Sequence, residues 1–168
     1  MEALYLVAIL PPEPVDMQIR QFKQEFAERF PTFKSATVLP HITLIPPFKE
    51  DSGSAGFLVH DLTELCSDCP PFLLTLSGFQ HFGSHTIYAS VGETIALSRL
   101  FSNLARGSAH PHMTIGYRNK NRKAFPLAWQ AFENRPFEAT FAVTSYWLLR
   151  FEHSGWQPFR EIPLLKAS

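Results

Sequence analysis

The chain has 168 residues, enough for one domain or two small lobes but not for two independent domains of usual size. Hydrophobic residues make up 45% of it, Phe alone occurs 16 times, and charged residues fall to 18% against the ~25% of an average globular protein, which excludes a disordered chain. Formal net charge is zero, so the chain is not built to grip a long duplex through many phosphates, although a small anionic ligand or a strand end needs only a few local donors.

In chain order, "ALYLVAIL" is a continuous apolar run closed by Pro11 and Pro12, the pattern of a strand covered on both faces. In "EPVDMQIRQFKQEFAERF", Val15, Ile19, Phe22, Phe26 and Phe30 recur at helical spacing with charges between them, which predicts an amphipathic helix ended by Pro31. "FKSATVLPHITLIPPF" reads as extended and stopped by Pro46-Pro47, and "EDSGSAG" as a loop. A second helix follows through Phe57, Leu58, Leu62 and Leu65 to the two cysteines, Cys66 and Cys69. "PFLLTLSGFQHFGSHTIYASV" predicts two strands around a Gly83-Ser84 turn, "ETIALSRLFSNL" a helix, and "PHMTIGY" a strand. "KAFPLAWQAFENR" is a helix with Pro126 in its first turn, and the remainder, with its His-Ser-Gly turn, reads as a terminal hairpin. The result is an α+β chain with several strands and about four helices. No apolar run approaches membrane-spanning length and "MEALYLVAILPPEP" lacks the marks of a secretory signal, so a soluble cytoplasmic protein is the expectation.

Two stretches echo each other: "PHITLI", Pro40 to Ile45, and "PHMTIG", Pro111 to Gly116. In a strand, residues i and i+2 share a face. His41 and Thr43 therefore stand together, as do His112 and Thr114, while Ile42, Leu44, Met113 and Ile115 are free to anchor in a core. Each copy also follows a strand and a helix, the order expected of two related halves. If the two strands lie side by side, the groove between them holds two imidazoles and two hydroxyls. Histidine titrates near neutrality, so a pair can serve as base and acid at once, and a threonine hydroxyl can donate to a phosphate oxygen without adding charge. That set suits attack of water on a phosphate, with a base on the incoming oxygen and an acid on the departing one.

Other chemistries have weaker local support. His110 and His112 form a His-x-His pair usable by a metal, with His41 as a third ligand and His81 or His85 as a fourth, but no acidic residue accompanies them. Two thiols cannot complete a zinc site, and Cys66 and Cys69 read as ordinary helix-end cysteines. There is no Gly-x-Ser-x-Gly nucleophile, no P-loop and no dinucleotide fingerprint, so no cofactor is expected.

The paired motif resembles the 2H phosphoesterases, named for two His-x-Thr/Ser motifs each followed by an apolar residue, and most of all their 2′-5′ RNA ligase and cyclic phosphodiesterase branch. His41-Ile42-Thr43-Leu44 and His112-Met113-Thr114-Ile115 match in full. "LYLVAILPPEP" resembles the family's opening strand and turn, and "LSGFQHFGSHTIYASV" its mid-chain hairpin. The resemblance implies one bilobal domain over residues 1–168, with two pseudo-symmetric lobes of mainly antiparallel sheet, outer helices and a central cleft, each half giving one motif. It implies metal-independent chemistry on 2′,3′-cyclic phosphates or 2′-5′ linkages of RNA ends or nucleotides, with His41 and His112 as acid and base and Thr43 and Thr114 as phosphate donors. A binding module without turnover on the same scaffold is the alternative. Many relatives carry an arginine shortly after the second motif. Here Arg118, in "TIGYR", is the counterpart for a phosphate or ribose contact, or else a solvated strand-end residue of the basic run "RNKNRK". Tyr5 and Phe82 are candidates to stack on a base at the cleft mouth, or else core aromatics. Neither membrane nor protein partner is expected.

Overall fold

The computed structural model describes residues 1–35, 38–104 and 110–165. Eight strands form one sheet: β1 (Glu2–Ile9), β2 (Ile42–Asp51), β3 (Phe72–Phe82), β4 (Thr86–Val91), β5 (His112–Gly116), β6 (Glu138–Val143), β7 (Ser145–Glu152) and β8 (Gly155–Pro163). Four α-helices accompany them: α1 (Val15–Arg29), α2 (Ala55–Leu65), α3 (Ile95–Leu104) and α4 (Phe125–Phe132). The strand order is β6-β3-β4-β5-β2-β1-β7-β8, antiparallel throughout. Two four-stranded halves thus meet at β5 and β2, the strands that carry the two motifs.

One face of the sheet is covered by helices. Val15, Ile19, Phe22 and Phe26 turn the stripe of α1 onto it, and the rings of Phe22, Phe26, Phe79 and Phe132 interlock at 5.1 to 6.2 Å between centroids. Edge-to-face contacts of this kind fix geometry better than aliphatic packing does. β5 comes so close to α1 that a Cβ at Gly116 would lie 2.4 Å from Cε1 of Phe26, so only glycine fits there. β1 is covered on both faces, as its unbroken apolar run requires: Tyr5, Val7 and Ile9 enter the main core, while Leu6 and Ala8 join Leu149 on the other face.

Three readings of the sequence need correction. β2 does not stop at Pro46-Pro47 but runs on to Asp51, pairing Phe48 with Tyr5 and Asp51 with Glu2. The prolines are tolerated because β5 pairs with β2 only at Ile42, and the register against β1 shifts on passing them. The stretch read as a loop is correspondingly short: Glu50 and Asp51 belong to β2, and α2 begins at Ala55 after one 3₁₀ turn. The C-terminal region is more than a hairpin. β7 and β8 do form one around His153 and Ser154, both at positive φ, but β6 pairs with β3 at the far edge. β3 to β6 therefore make up one half of the sheet, inserted in chain order between β2 and β7 of the other half.

Cys66 and Cys69 are buried free thiols at the end of α2. Burial pushes the Cys66 thiol up to about 12, which makes it a poor nucleophile. No helix among the described residues is long and apolar enough to cross a membrane.

Candidate active site

The site is built by alternation in two strands and by one cross-strand pair. Ile42 and Leu44 of β2, and Met113 and Ile115 of β5, are buried in the helix-covered core. The intervening residues must point the other way, and His41, Thr43, His112 and Thr114 all lie half-buried on the opposite face. β2 and β5 are paired antiparallel at Ile42 and Met113. In the register of that pair, His41 comes opposite Thr114, and Thr43 opposite His112. Each imidazole is thus set beside the hydroxyl of the other motif.

Both histidines are held in the same way. The Nδ1–H of His41 donates to the carbonyl of Leu39 at 2.7 Å, and that of His112 to the carbonyl of His110, also at 2.7 Å. A carbonyl only accepts, so Nδ1 carries the hydrogen and Nε2 is left to exchange a proton with a ligand. Pro40 and Pro111, both buried, precede the two rings and fix the chain where it enters each strand. Burial lowers the pKa of both imidazoles from the usual 6.5, and the backbone carbonyls partly oppose this. His41 is also depressed by the positive charge of Lys23 on α1 and by that of His112. Lys23 is itself buried, and burial together with nearby Arg20 brings its ammonium down to about 8.

The two sides of the site differ. On the β5 side, Tyr88 stands opposite Thr114 and Ser90 opposite His112. Phe82 lies 5.0 Å from His112 between ring centroids and 4.4 Å from Tyr88, and the Tyr88 hydroxyl is 3.2 Å from Nε2 of His110. On the β2 side the neighbours are apolar: Ala8 opposite Thr43, then Leu6 and Leu149, with Leu10, Leu39, Trp147 and Trp156 packed around them.

Among the aromatic candidates, Phe82 is thus at the site and Tyr5 is not. Tyr5 lies fully buried in the main core between Phe48 and Phe159, on the face away from the imidazoles, so it offers a ligand nothing. Tyr88 and Ser90 were missed, although the alternation of "TIYASV" puts them on one face. What the sequence lacks is the register that sets that face beside His112. Arg118 is exposed beyond the end of β5, at φ 50, its guanidinium 5.8 Å from the Tyr117 ring. His81 packs on Phe125 and Trp129 of α4, and His85 bonds Thr86, so neither joins His110 and His112. Among the described residues no three His, Cys, Asp or Glu side chains gather as a metal site would require.

The family model described as the 2′-5′ RNA ligase superfamily matches residues 11–155. The chain belongs to that superfamily. A protein of Geobacillus kaustophilus whose name calls it a phosphoesterase is 29% identical over 122 residues, 67% of this chain and 68% of that one. A similarly named protein of Geobacillus sp. strain WCH70 is 27% identical over 164 residues, 90% of this chain and 91% of its own. Among solved structures, TT0787 of Thermus thermophilus superposes with a TM-score of 0.71 at 16% identity, covering 98% of this chain and all of its own. Escherichia coli LigT, solved with 3′-AMP, gives 0.68 at 20% identity, over 99% of this chain and all of that one. The fold is therefore that of the LigT-type 2H phosphoesterases, two antiparallel lobes with outer helices.

Proposed function

We propose that this superfamily member is a 2′,3′-cyclic phosphodiesterase acting on RNA ends or nucleotides. The observation that carries the reading is the cross-strand arrangement of two imidazoles, each with Nδ1 bonded to a carbonyl and Nε2 free, each beside the other motif's threonine. With a cyclic phosphate between the strands, neutral His41 takes a proton from water through Nε2 as the water oxygen bonds to phosphorus. The bond from phosphorus to one ribose oxygen breaks, and protonated His112 supplies that oxygen with its proton. The product is a phosphate monoester on one ribose oxygen with a hydroxyl on the other. His41 suits the role of base because burial, Lys23 and His112 all favour its neutral form. Thr43 and Thr114 donate to the non-bridging oxygens, where charge accumulates in the transition state. With the 5′-hydroxyl of a second strand in place of water, the same proton transfers break the bond from phosphorus to the 3′ oxygen and leave a 2′-5′ phosphodiester, so ligation uses the same groups. Phe82 offers aromatic surface for a base beside His112, and the buried ring of Tyr88 backs it.

The test is a panel of 2′,3′-cyclic mononucleotides, 2′-5′-linked dinucleotides and cyclic-phosphate-ended RNAs, assayed with and without EDTA. Turnover of a cyclic phosphate that survives chelation supports the reading. Thermal protection by these ligands with no product formed would make the protein a binding module instead.

A further inference from the structure

The zero net charge hides a division. Residues 1–68 carry ten acidic side chains against five Lys and Arg, whereas residues 69–132 carry six Lys and Arg and a single acid, Glu93. The excess of positive charge thus falls in the stretch that supplies β3, β4 and β5, three of the four strands in the half of the sheet holding His112. Four of those six cations stand within six residues, Arg118, Lys120, Arg122 and Lys123. All four are exposed, and among the described residues none is paired with a carboxylate.

The backbone beneath these cations is firmly held. Tyr117 exchanges both backbone hydrogen bonds with Lys34, at 2.8 Å each. The Asn119 amide donates to the carbonyls of Ser84 and Asn121, at 2.9 and 2.8 Å, and its oxygen accepts from Thr32 at 2.8 Å. The backbone N–H of Lys120 donates to Thr32 at 3.0 Å, and that of Asn119 to His85 at 3.2 Å. Ser84 and His85 belong to the β3–β4 turn directly after Phe82, the ring that touches His112. The segment is therefore pinned to the hairpin that borders the site, while its charged side chains remain in water.

We propose that residues 118–123 form a cationic ledge that holds the sugar-phosphate backbone of a single-stranded RNA whose terminal phosphate lies at the two histidines. This rests on the phosphodiesterase reading and narrows it, making an RNA strand, rather than a free nucleotide, the preferred substrate. Exposed cations beside aromatic rings are the pattern by which proteins follow a single strand without reading its sequence, and the half-buried Phe82 and Tyr117 supply the rings. The ledge is short, which fits a strand end and not a long duplex.

The experiment uses the full chain and a Lys120→Ser/Arg122→Ser/Lys123→Ser variant, all three positions being exposed. Binding of a fluorescent oligouridylate of about ten nucleotides ending in a 3′-phosphate is followed by anisotropy across a salt series. At low salt the variant is expected to bind about tenfold more weakly, and its slope of log affinity against log salt to flatten by about 2, at ~0.7 per lost cation. Hydrolysis of a 2′,3′-cyclic mononucleotide should be unchanged. Equal affinity and equal slope in the two proteins would overturn the ledge. Displacement of the RNA by polyglutamate as effectively as by unlabelled RNA would also overturn it and give the surface to an acidic protein. Failure of both proteins to hydrolyse the mononucleotide and a cyclic-phosphate-ended RNA alike would count against the phosphodiesterase reading alone, since the binding comparison does not depend on turnover.

Discussion

Ile42 of β2 lies directly opposite Met113 of β5, and this pair sets the register of the two motifs. Because the strands are antiparallel, each histidine faces the threonine of the other motif. The hydroxyls therefore belong to a site shared between the halves. Thr43→Val and Thr114→Val each remove one donor while keeping shape and strand propensity. Each is expected to lower kcat by about 10²-fold, with KM changed much less, as for loss of a donor to transition-state charge. A change confined to KM would show that the hydroxyls bind the ground state only.

Replacing His41 or His112 by alanine should lower kcat by about 10²–10⁴-fold, the usual range for a positioned acid or base. Both rings are half-buried on the face away from the main core, so the circular dichroism spectrum and melting transition should stay close to those of the parent. Full turnover by both variants would end the two-histidine mechanism.

Both imidazole pKa values lie below 6.5 in the folded protein, chiefly through burial. The proposed mechanism needs one ring neutral and one protonated, so kcat/KM should follow a bell whose maximum lies on the acid side of 6.5. Around pH 6.5 the unfolded chain binds protons that the folded chain refuses, so this contribution to stability is complete above the unfolded value and is lost as pH falls through the folded ones. Melting temperature should accordingly drop on acidification, and less so in a His41→Asn/His112→Asn double variant.

Lys23 is only 4% exposed, and its folded-state pKa is about 8 against 10.5 in the unfolded chain. Its contribution to stability is thus complete above 10.5 and is lost as pH falls through 8, which leaves a buried ammonium as a cost at neutral pH. Lys23→Met should raise stability at pH 7 by roughly 2–3 kcal/mol, the gain fading as pH approaches that of free lysine. It should also move the acid limb of the activity profile to higher pH, because His41 loses a neighbouring positive charge. A lower melting temperature at pH 7 would mean that the ammonium is stabilised where it lies.

Gly116 has no room for a side chain against Phe26. Gly116→Ala should destabilise the fold by about 1–3 kcal/mol, the usual result of overpacking. It should also reduce activity, because any retreat of β5 from α1 carries Thr114 and His112 with it. A melting curve and a kcat measured at low temperature separate the two effects.

Most of the elements could be read from the chain because their signals are local. The stripe of α1, the double-sided burial of β1, the Gly83-Ser84 turn and the place of Pro126 near the start of α4 all follow from neighbours a few residues apart. The failures were non-local. Pro46 and Pro47 looked like a strand end because a proline lacks a donor, yet among the described residues β2 has no partner on its β5 side there. Of the two readings open for Tyr5, stacking on a base or a place in the core, burial with Val7 and Ile9 under the helices decides for the core. β6 looked like part of a terminal hairpin, but its partner, β3, lies some seventy residues earlier.

The sequence by itself determined the repeated His-x-Thr pattern and, through strand alternation, the separation of its chemical residues from its anchoring ones. Tertiary structure alone decided that the two copies meet, that each histidine faces the other copy's threonine, and that Phe82 and Tyr88 line only one side. The physical reason is distance along the chain. Periodicity is written in adjacent residues, whereas the pairing of Ile42 with Met113 joins positions 71 residues apart and is chosen by how the whole sheet packs against its helices.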